Sequence, residues 1–173
     1  MNTFIQGYAH KFGDDINTDL ISPAQYMELS LAEMAAHAME GADPDFAAKM
    51  RKGDIIVAGK NFGSGSSRET APLALLGAGV ALIVAESFAR IFYRNCINTG
   101  LPVLICPTAG QIAEGDLLAV DLAQGKIRDL SNGSEHAADQ LPPHLLRLLS
   151  HGGLLGDLQQ RLNHKEADPC TRK

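Results

Sequence analysis

Residues 59–72, GKNFGSGSSRETAP, have a composition that suits the binding of a small anion. Three glycines and three serines fall within nine residues, and Arg68 and Glu69 follow at once. Glycine allows positive φ and close backbone approach, serine adds a hydroxyl, and a guanidinium offers a planar pair of donors to a carboxylate. The segment is therefore a candidate site for a carboxylate-bearing ligand.

Several known loop motifs do not match this segment. It lacks the G-K-[ST] ending of a Walker loop, Arg68 replaces the third glycine of the dinucleotide fingerprint, and G-x-S-x-G is absent. The simpler interpretation is a glycine-rich turn before a helix, with Ser66 and Glu69 forming an S-x-x-E capping box. Pro72 favours a helix start nearer Thr70, so both starts stay open.

A second polar cluster, GDDINTDLISPA, occupies residues 13–24. Its aspartates Asp14, Asp15 and Asp19 could suggest a calcium loop, but the glycine and glutamate that an EF-hand requires are missing. An Asx-rich turn, with Thr18 or Asp19 as a cap, explains the composition more simply.

The histidines and cysteines predict no metal site in this chain. The six histidines form no H-x-x-x-H pair, and the three cysteines lack C-x-x-C spacing. Cys96 and Cys106 lie in apolar surroundings typical of a core, whereas Cys170 lies in a polar tail. The chain therefore offers no compact set of thiolates for an iron–sulfur cluster.

Short apolar runs bounded by glycine or proline predict the strands that position these loops. They are an opening strand in residues 4–13 and buried strands in residues 54–59, 80–87 and 102–106. Helical spacing predicts helices up to Gly41, after the glycine–serine loop, and in residues 88–100, which end at a capping glycine. Alternation of strand and helix predicts an α/β fold with parallel strands.

The rest of the chain predicts a hairpin in residues 115–133, with its turn near Gln124 and Gly125. Residues 142–163 predict a closing helix that is broken at Gly152 and Gly153.

Length and charge restrict the class of protein. A chain of 173 residues fits one domain, assigned to residues 1–165, with a flexible tail in residues 166–173. The net charge is −5 and the 15 lysines and arginines are scattered, which argues against nucleic acid as a partner. No apolar run is long enough to span a membrane and no signal sequence is present, so we expect a cytoplasmic protein with no membrane partner.

Three motifs together resemble the small-subunit family of 3-isopropylmalate dehydratase (isopropylmalate isomerase), the swivelling domain of the aconitase superfamily. They are GDDINTDLISPA, GKNFGSGSSRE and AESFARIFYRNCINTGLPVL, and they extend the resemblance over about residues 3–125. The resemblance implies a swivelling β/β/α domain, with a mostly parallel central sheet flanked by helices.

The resemblance also implies a heteromeric hydro-lyase. This chain would act only with a large subunit that carries a 4Fe–4S cluster, and would bind no cofactor of its own. The implied reaction isomerises 2-isopropylmalate and 3-isopropylmalate, through dehydration and rehydration, in leucine biosynthesis.

By the same resemblance, Ser66 is the catalytic base and Ser67 and Arg68, with Gly65, bind a carboxylate of a small hydroxy-dicarboxylic acid. A helix N-terminus, nearby N–H groups and Arg68 would favour the anionic serine. Asp19 matches the aspartate of the family motif T-D-x-I-x-P-A, which meets the active site of the large subunit and orients a histidine there.

Substrate choice in this family depends on the segment after SPA, where homoaconitase-like members carry an arginine in a Y-L-R pattern. Here Tyr26 and Met27 fit the pattern, but Glu28 replaces the arginine. A carboxylate there repels a second distal carboxylate and disfavours homoaconitate and citrate. An isopropyl group, or the methyl group of 2,3-dimethylmalate, is compatible with Met27 and Leu29.

Two alternatives remain open at this point. One is the small subunit of a related dehydratase, acting on 2,3-dimethylmalate or homoaconitate. The other is a non-catalytic anion-binding module with the same fold. Retention of Ser66, Ser67, Arg68 and Asp19 favours an enzyme, since a degenerate module need not keep the base.

Overall fold

The computed structural model describes residues 3–166, which form seven β-strands in one sheet with seven α-helices around it. The spatial order of the strands is β4-β3-β2-β1-β5-β6-β7. In chain order the strands are β1 (Phe4–Lys11), β2 (Ile55–Ala58), β3 (Leu82–Ala85), β4 (Val103–Ile105), β5 (Leu117–Asp121), β6 (Lys126–Asp129) and β7 (Glu135–Ala137).

One half of the sheet is parallel. Strand β1 pairs with β2 at Ala9 and Ile55, β2 pairs with β3 at Ile55 and Leu82, and β4 continues beside β3. Every residue of β2 and β3 is buried, which explains why these strands are continuous apolar runs rather than alternating ones. Because the four strands are parallel, the loops that follow them meet at one edge of the sheet.

The other half of the sheet is antiparallel. Strand β1 pairs with β5, placing Ile5 opposite Val120, and β6 and β7 follow outward. The hairpin between β5 and β6 turns through Gly125, whose φ of 62° agrees with the predicted turn. Strand β7, which has only three residues, was not predicted from the sequence.

The helices cover the sheet between and after these strands. They are α1 (Thr18–Ile21), α2 (Leu31–Ala36), α3 (Phe46–Lys49), α4 (Thr70–Ala78), α5 (Arg90–Thr99), α6 (Pro143–Ser150) and α7 (Leu154–Glu166). As predicted, α5 ends at Gly100, which takes the left-handed conformation with φ 89°. The predicted break at Gly152 and Gly153 separates α6 from α7.

Two local predictions were wrong. The helix expected to reach Gly41 ends at Ala36, because the chain turns and Met39 adopts a left-handed φ of 60°. A residue with that φ cannot continue a right-handed helix. The segment expected to be a loop contains α1, which Asn17 caps by accepting hydrogen bonds from the backbone N–H groups of Asp19 and Leu20.

The architecture confirms the predicted α/β class, with a sheet flanked by helices. Within residues 3–166, no helix combines the length and apolar character needed to cross a membrane. Residues 167–173, which hold most of the predicted tail and Cys170, lie outside the described part of the chain.

Candidate functional site

The two polar loops singled out in the sequence lie side by side after β1 and β2. Their backbones are hydrogen-bonded to each other: the N–H of Gly63 donates to the carbonyl of Ile16 at 2.7 Å, and that of Thr18 donates to the carbonyl of Ser64 at 2.8 Å. Residues that are 46 and 47 positions apart in sequence are therefore bonded directly, and the two loops form one continuous surface.

The third motif joins the same surface through the loop after β3. The N–H of Phe62 donates to the carbonyl of Ser87 at 3.0 Å, and the N–H of Ala89 donates to the carbonyl of Phe62 at 2.9 Å. All three sequence motifs thus converge where parallel strands end, which is the usual place for ligand sites in such sheets.

Gly63 is the position at which this loop requires glycine. Its φ is 79°, and a Cβ atom there would overlap the buried ring of Phe92 on α5. Phe62 lies against the same ring, with centroids 5.5 Å apart. Because this position is glycine, the loop can pack directly against the rings of Phe62 and Phe92.

Ser66, the predicted base, is exposed, and it is hydrogen-bonded to Thr18. The Oγ1 atom of Thr18 accepts the N–H of Ser66 at 3.1 Å and lies 3.1 Å from the Oγ of Ser66. Thr18 is 1% exposed and sits at the start of α1. Either hydroxyl can be the donor of this contact, and the Thr18 hydroxyl can donate to Ser66 Oγ while its oxygen accepts the N–H.

Arg68 and Asp19 form an ion pair across the two loops. The Nη1 atom of Arg68 lies 2.6 Å from Oδ1 of Asp19, and it also donates to the carbonyl of Ser22 at 3.4 Å. The Asp19 side chain is 65% exposed whereas that of Arg68 is 19% exposed. Both contacts use Nη1, so Nε and Nη2 have no hydrogen-bond partner within residues 3–166.

Gly65 and Ser67 flank the predicted base and are both exposed. Gly65 has φ 103°, a backbone conformation that favours glycine. The carbonyl of Ser67 accepts a hydrogen bond from Nδ2 of Asn95 at 3.3 Å, which ties the end of the loop to α5.

The predicted selection segment follows α1 directly. A short 3-10 turn spans Ala24–Tyr26, Tyr26 is half-buried, and Met27 and Glu28 are exposed. The side chain of Glu28 makes no hydrogen bond or ion pair within the described chain, and neither does that of Met27. Tyr26, by contrast, is anchored through its hydroxyl, which donates to Glu40.

The predicted capping box at Ser66 and Glu69 is wrong. Helix α4 begins at Thr70, as Pro72 suggested, and its N-cap Glu69 makes no side-chain capping hydrogen bond. A capping box is instead present at Ser30 and Glu33, at the start of α2. Ser66 is thereby free of a capping role.

Sequence reasoning missed Thr18 as part of the site, since it was considered only as a cap. A signal was present, because Thr18 directly precedes Asp19 in the T-D-x-I-x-P-A motif. His37 and Glu40, which contact Tyr26, carried no signal at all in the sequence.

The described residues do not fit an iron–sulfur cluster. Within residues 3–166, no group of three or more histidine, cysteine, aspartate or glutamate side chains could hold a metal. Cys96 and Cys106 are both fully buried. Burial raises the pKa of the Cys96 thiol well above its usual value, which disfavours the thiolate that a cluster needs.

Comparison with protein families identifies the family of the chain. Residues 9–107, which contain all three motifs, match the family described as the aconitase C-terminal domain.

Relatives align over nearly the whole chain. The 3-isopropylmalate dehydratase small subunit of Nautilia profundicola is 49% identical, over 94% of this chain and 98% of that one. The methanogen homoaconitase small subunit of Methanothermobacter thermautotrophicus is 52% identical, over 90% of this chain and 91% of that one.

A crystal structure has the same architecture. It is that of a 3-isopropylmalate dehydratase from Methanocaldococcus jannaschii, with a TM-score of 0.91 and 41% identity, and the alignment covers 95% of this chain and 98% of that one.

Proposed function

Because the chain belongs to the aconitase C-terminal domain family, we propose that it is the small subunit of a hydro-lyase that interconverts 2-isopropylmalate and 3-isopropylmalate in leucine biosynthesis. The observation that carries this proposal is the convergence of Ser66, Arg68 and Asp19 on one exposed surface, from loops far apart in sequence. The enzyme acts only when a separate large subunit covers that surface.

Ser66 serves as the base in this proposal. During dehydration its oxygen takes the proton from the carbon beside a substrate carboxylate, the C–H electron pair forms the double bond, and the hydroxyl leaves the neighbouring carbon as hydroxide, a departure that Lewis acidity in the large subunit would assist. During rehydration the proton is delivered to the carbon that lost the hydroxyl, and the hydroxyl of water adds to the other carbon. A serine needs stabilisation of its anionic form to do so. The hydroxyl of Thr18, 3.1 Å from Ser66 Oγ, can donate to that anion, and a hydrogen bond to the charged form lowers the pKa of such a group.

Arg68 and Ser67 bind a carboxylate of the substrate. The Nε and Nη2 atoms of Arg68 are adjacent donors, unused within the described chain, and suit bidentate binding of a carboxylate. Asp19 holds the opposite side of the guanidinium through Nη1 and so fixes its orientation. Gly65 allows the carboxylate to approach the backbone closely.

The openness of the site supports a two-subunit enzyme. Gly65, Ser66 and Ser67 are exposed, whereas removal of a carbon-bound proton requires a site from which water is excluded. Closure by a second body provides that exclusion. We assign the 4Fe–4S cluster to this large subunit, because the described residues of the small subunit do not fit one.

Glu28 selects the substrate class. The relatives include a homoaconitase small subunit as well as dehydratase small subunits, so similarity alone does not choose between them. Within residues 3–166 the exposed Glu28 carboxylate forms no ion pair, so it repels a substrate with a distal carboxylate. Met27 instead offers an apolar surface to an isopropyl group.

The test is anaerobic co-expression with the large subunit from the same genome, followed by spectrophotometric assay of unsaturated-acid formation. We expect turnover of 3-isopropylmalate, and little turnover of citrate or homocitrate. Ser66→Ala should abolish turnover while leaving the complex assembled, and Ser150→Ala, at an exposed serine on α6, should leave it intact. Full activity of Ser66→Ala would overturn the assignment of the base.

Preferential turnover of 2,3-dimethylmalate would identify the chain as the small subunit of a related dehydratase. A chain that forms no complex and supports no turnover would instead match a non-catalytic anion-binding module.

A further inference from the structure

Tyr26 forms a closed three-residue cluster with His37 and Glu40. Its ring stacks on the His37 imidazole, with centroids 3.8 Å apart and planes inclined by 10°. Its hydroxyl donates to Oε1 of Glu40 at 3.0 Å, while Nδ1 of His37 is hydrogen-bonded to Oε2 of the same carboxylate. Each carboxylate oxygen of Glu40 therefore holds one of the two stacked rings.

The carboxylate of Glu40 carries the negative charge of this cluster. The hydrogen bond with His37 and then that from Tyr26 lower the pKa of the Glu40 carboxyl, and they outweigh the opposing effect of burial. An ionised carboxylate makes stronger hydrogen bonds than a neutral acceptor does.

The turn that carries Glu40 is fixed independently of Tyr26. Its neighbour Met39 is fully buried, has φ 60°, and donates its N–H to the carbonyl of Ile21 at 2.8 Å. A Cβ atom on Gly41 would come within 2.7 Å of the Cα atom of Leu20. The turn therefore packs directly on α1, the helix that carries Thr18 and Asp19.

The selection segment, residues 24–29, has few other attachments. Its backbone hydrogen bonds are local, from Met27 N–H to the Ala24 carbonyl at 3.2 Å and from Leu29 N–H to the Tyr26 carbonyl at 3.1 Å. Within the described chain, Tyr26 supplies the only side-chain hydrogen bond of this segment. Among the described residues, the Tyr26 side chain is thus the one side-chain polar attachment of this segment to residues distant in sequence.

We propose that His37 and Glu40 are positioning residues for substrate selection: they clamp Tyr26, and through it they hold Met27 and Glu28 in one fixed arrangement. The inference rests on the proposed function, in which this segment faces the variable group of the substrate. A preformed segment discriminates between side groups, whereas a loose one adapts to several. Because the turn that carries Glu40 packs on α1, the selection segment is held at a fixed position relative to Thr18 and Asp19.

Hydrogen exchange of the full chain tests the clamp without reference to any substrate. Tyr26→Phe removes only the hydroxyl, and Glu40→Ala removes both hydrogen bonds. In either variant the amides of Met27 and Leu29 should exchange about fivefold faster than in the wild type, corresponding to the loss of a hydrogen bond of ordinary strength. Glu40→Gln, which keeps an acceptor for Tyr26, should restore most of the protection.

Glu135→Ala is the matched control, since Glu135 is also a partly exposed carboxylate in a polar cluster but lies on β7. It should leave exchange in residues 24–29 unchanged. Wild-type exchange in both Tyr26→Phe and Glu40→Ala would overturn the clamp, whatever the enzyme acts on.

The assembled enzyme then tests selection. In Glu40→Ala, the ratio of kcat/KM for 3-isopropylmalate over 2,3-dimethylmalate should change about fivefold or more, mainly through KM, with Glu40→Gln closer to the wild type. Equal losses on both acids would overturn the selection role. Absence of turnover by the wild-type complex would instead count against the proposed function. The hydrogen-exchange measurement would still test the clamp, because it needs no substrate.

Discussion

Thr18 and Ser66 lie 48 residues apart in sequence, yet their hydroxyl oxygens are 3.1 Å apart, and the threonine oxygen also accepts the serine N–H. The geometry leaves the Thr18 hydroxyl hydrogen available to Ser66 Oγ. The threonine is therefore suited to stabilise an anionic serine rather than merely to hold a loop.

Replacement of Thr18 separates these two roles. Thr18→Val leaves the N–H of Ser66 without its acceptor in the chain, so we expect a loss of about 0.5–1.5 kcal/mol in the free energy of unfolding, the net value of one ordinary hydrogen bond. In the assembled enzyme kcat should fall about tenfold or more, because the anionic base loses a donor. Thr18→Ser keeps the hydroxyl and should retain most of kcat. Denaturant unfolding and steady-state kinetics provide the two measurements, and equal kcat for the Val and Ser variants would contradict the donor role.

Asp19 should matter for turnover far more than for stability. Its ion pair with Arg68 is 65% exposed on the carboxylate side, and exposed pairs contribute less than about 1 kcal/mol. Asp19→Asn should therefore unfold at nearly the same denaturant concentration as the wild type. Turnover by the complex should drop about tenfold or more, because Arg68 loses the group that orients it. A variant with normal kcat and normal KM would remove Asp19 from the site.

Gly63 should tolerate no side chain. In Gly63→Ala the new Cβ would overlap the Phe92 ring, and we expect a loss of about 2–4 kcal/mol of stability from displaced packing and positive φ. Gly133→Ala is the matched control, since Gly133 has φ 80° and no atom within 4 Å of a built Cβ. The loss of stability in Gly133→Ala measures the effect of the positive φ alone. Denaturant unfolding curves of the two variants give the difference in the free energy of unfolding. Equal destabilisation would show that the aromatic contact is unimportant.

Asp54 should make the fold sensitive to acid. Its buried carboxylate bonds to Nε2 of His10 at 2.9 Å and accepts the N–H groups of Tyr8 at 3.1 Å and Arg51 at 3.0 Å. Burial alone raises the pKa of Asp54, but these hydrogen bonds, led by that of His10, outweigh it and lower the pKa.

A lowered pKa in the folded state fixes the sign of this effect. The contribution of Asp54 is complete above about pH 4, the ordinary value for aspartate, and is lost as pH falls through the lower folded value. Asp54→Asn should therefore be less stable than the wild type at neutral pH, with the gap closing below about pH 4. The midpoints of urea unfolding of the wild type and Asp54→Asn, from about pH 3 to pH 6, measure this difference in stability. Asp45→Asn, at an exposed position, is the control. A gap that stays constant to the acid end would refute this role for Asp54.

The features predicted correctly from the sequence are those that depend on a pattern within a short segment. The buried strands β2 and β3 followed from uninterrupted apolar runs, and the end of α5 followed from Gly100. The resemblance of three motifs supplied the family, and the structure then brought Ser66, Arg68 and Asp19 together.

The remaining features depend on contacts between distant segments. The hydrogen bonds of Thr18 with Ser66 exist only once β1 and β2 lie side by side, and no local pattern encodes that pairing. The end of α2 is set by Met39, which is fully buried and bonded to Ile21 in spite of an unfavourable φ. Tertiary packing overrides helix propensity at such a position.

The seam between the glycine–serine loop and the aspartate-rich loop is made of main-chain hydrogen bonds, such as that from Gly63 to Ile16. Such bonds do not depend on which side chains the loops carry. Mutation can therefore exchange Met27 or Glu28 without moving Ser66, provided that the glycines and Thr18 persist. Under the proposed function, this arrangement would let the substrate range change by single substitutions while the seam between the loops stays unchanged, and Met27 and Glu28 would be the positions at which to engineer new hydroxy-acid specificity.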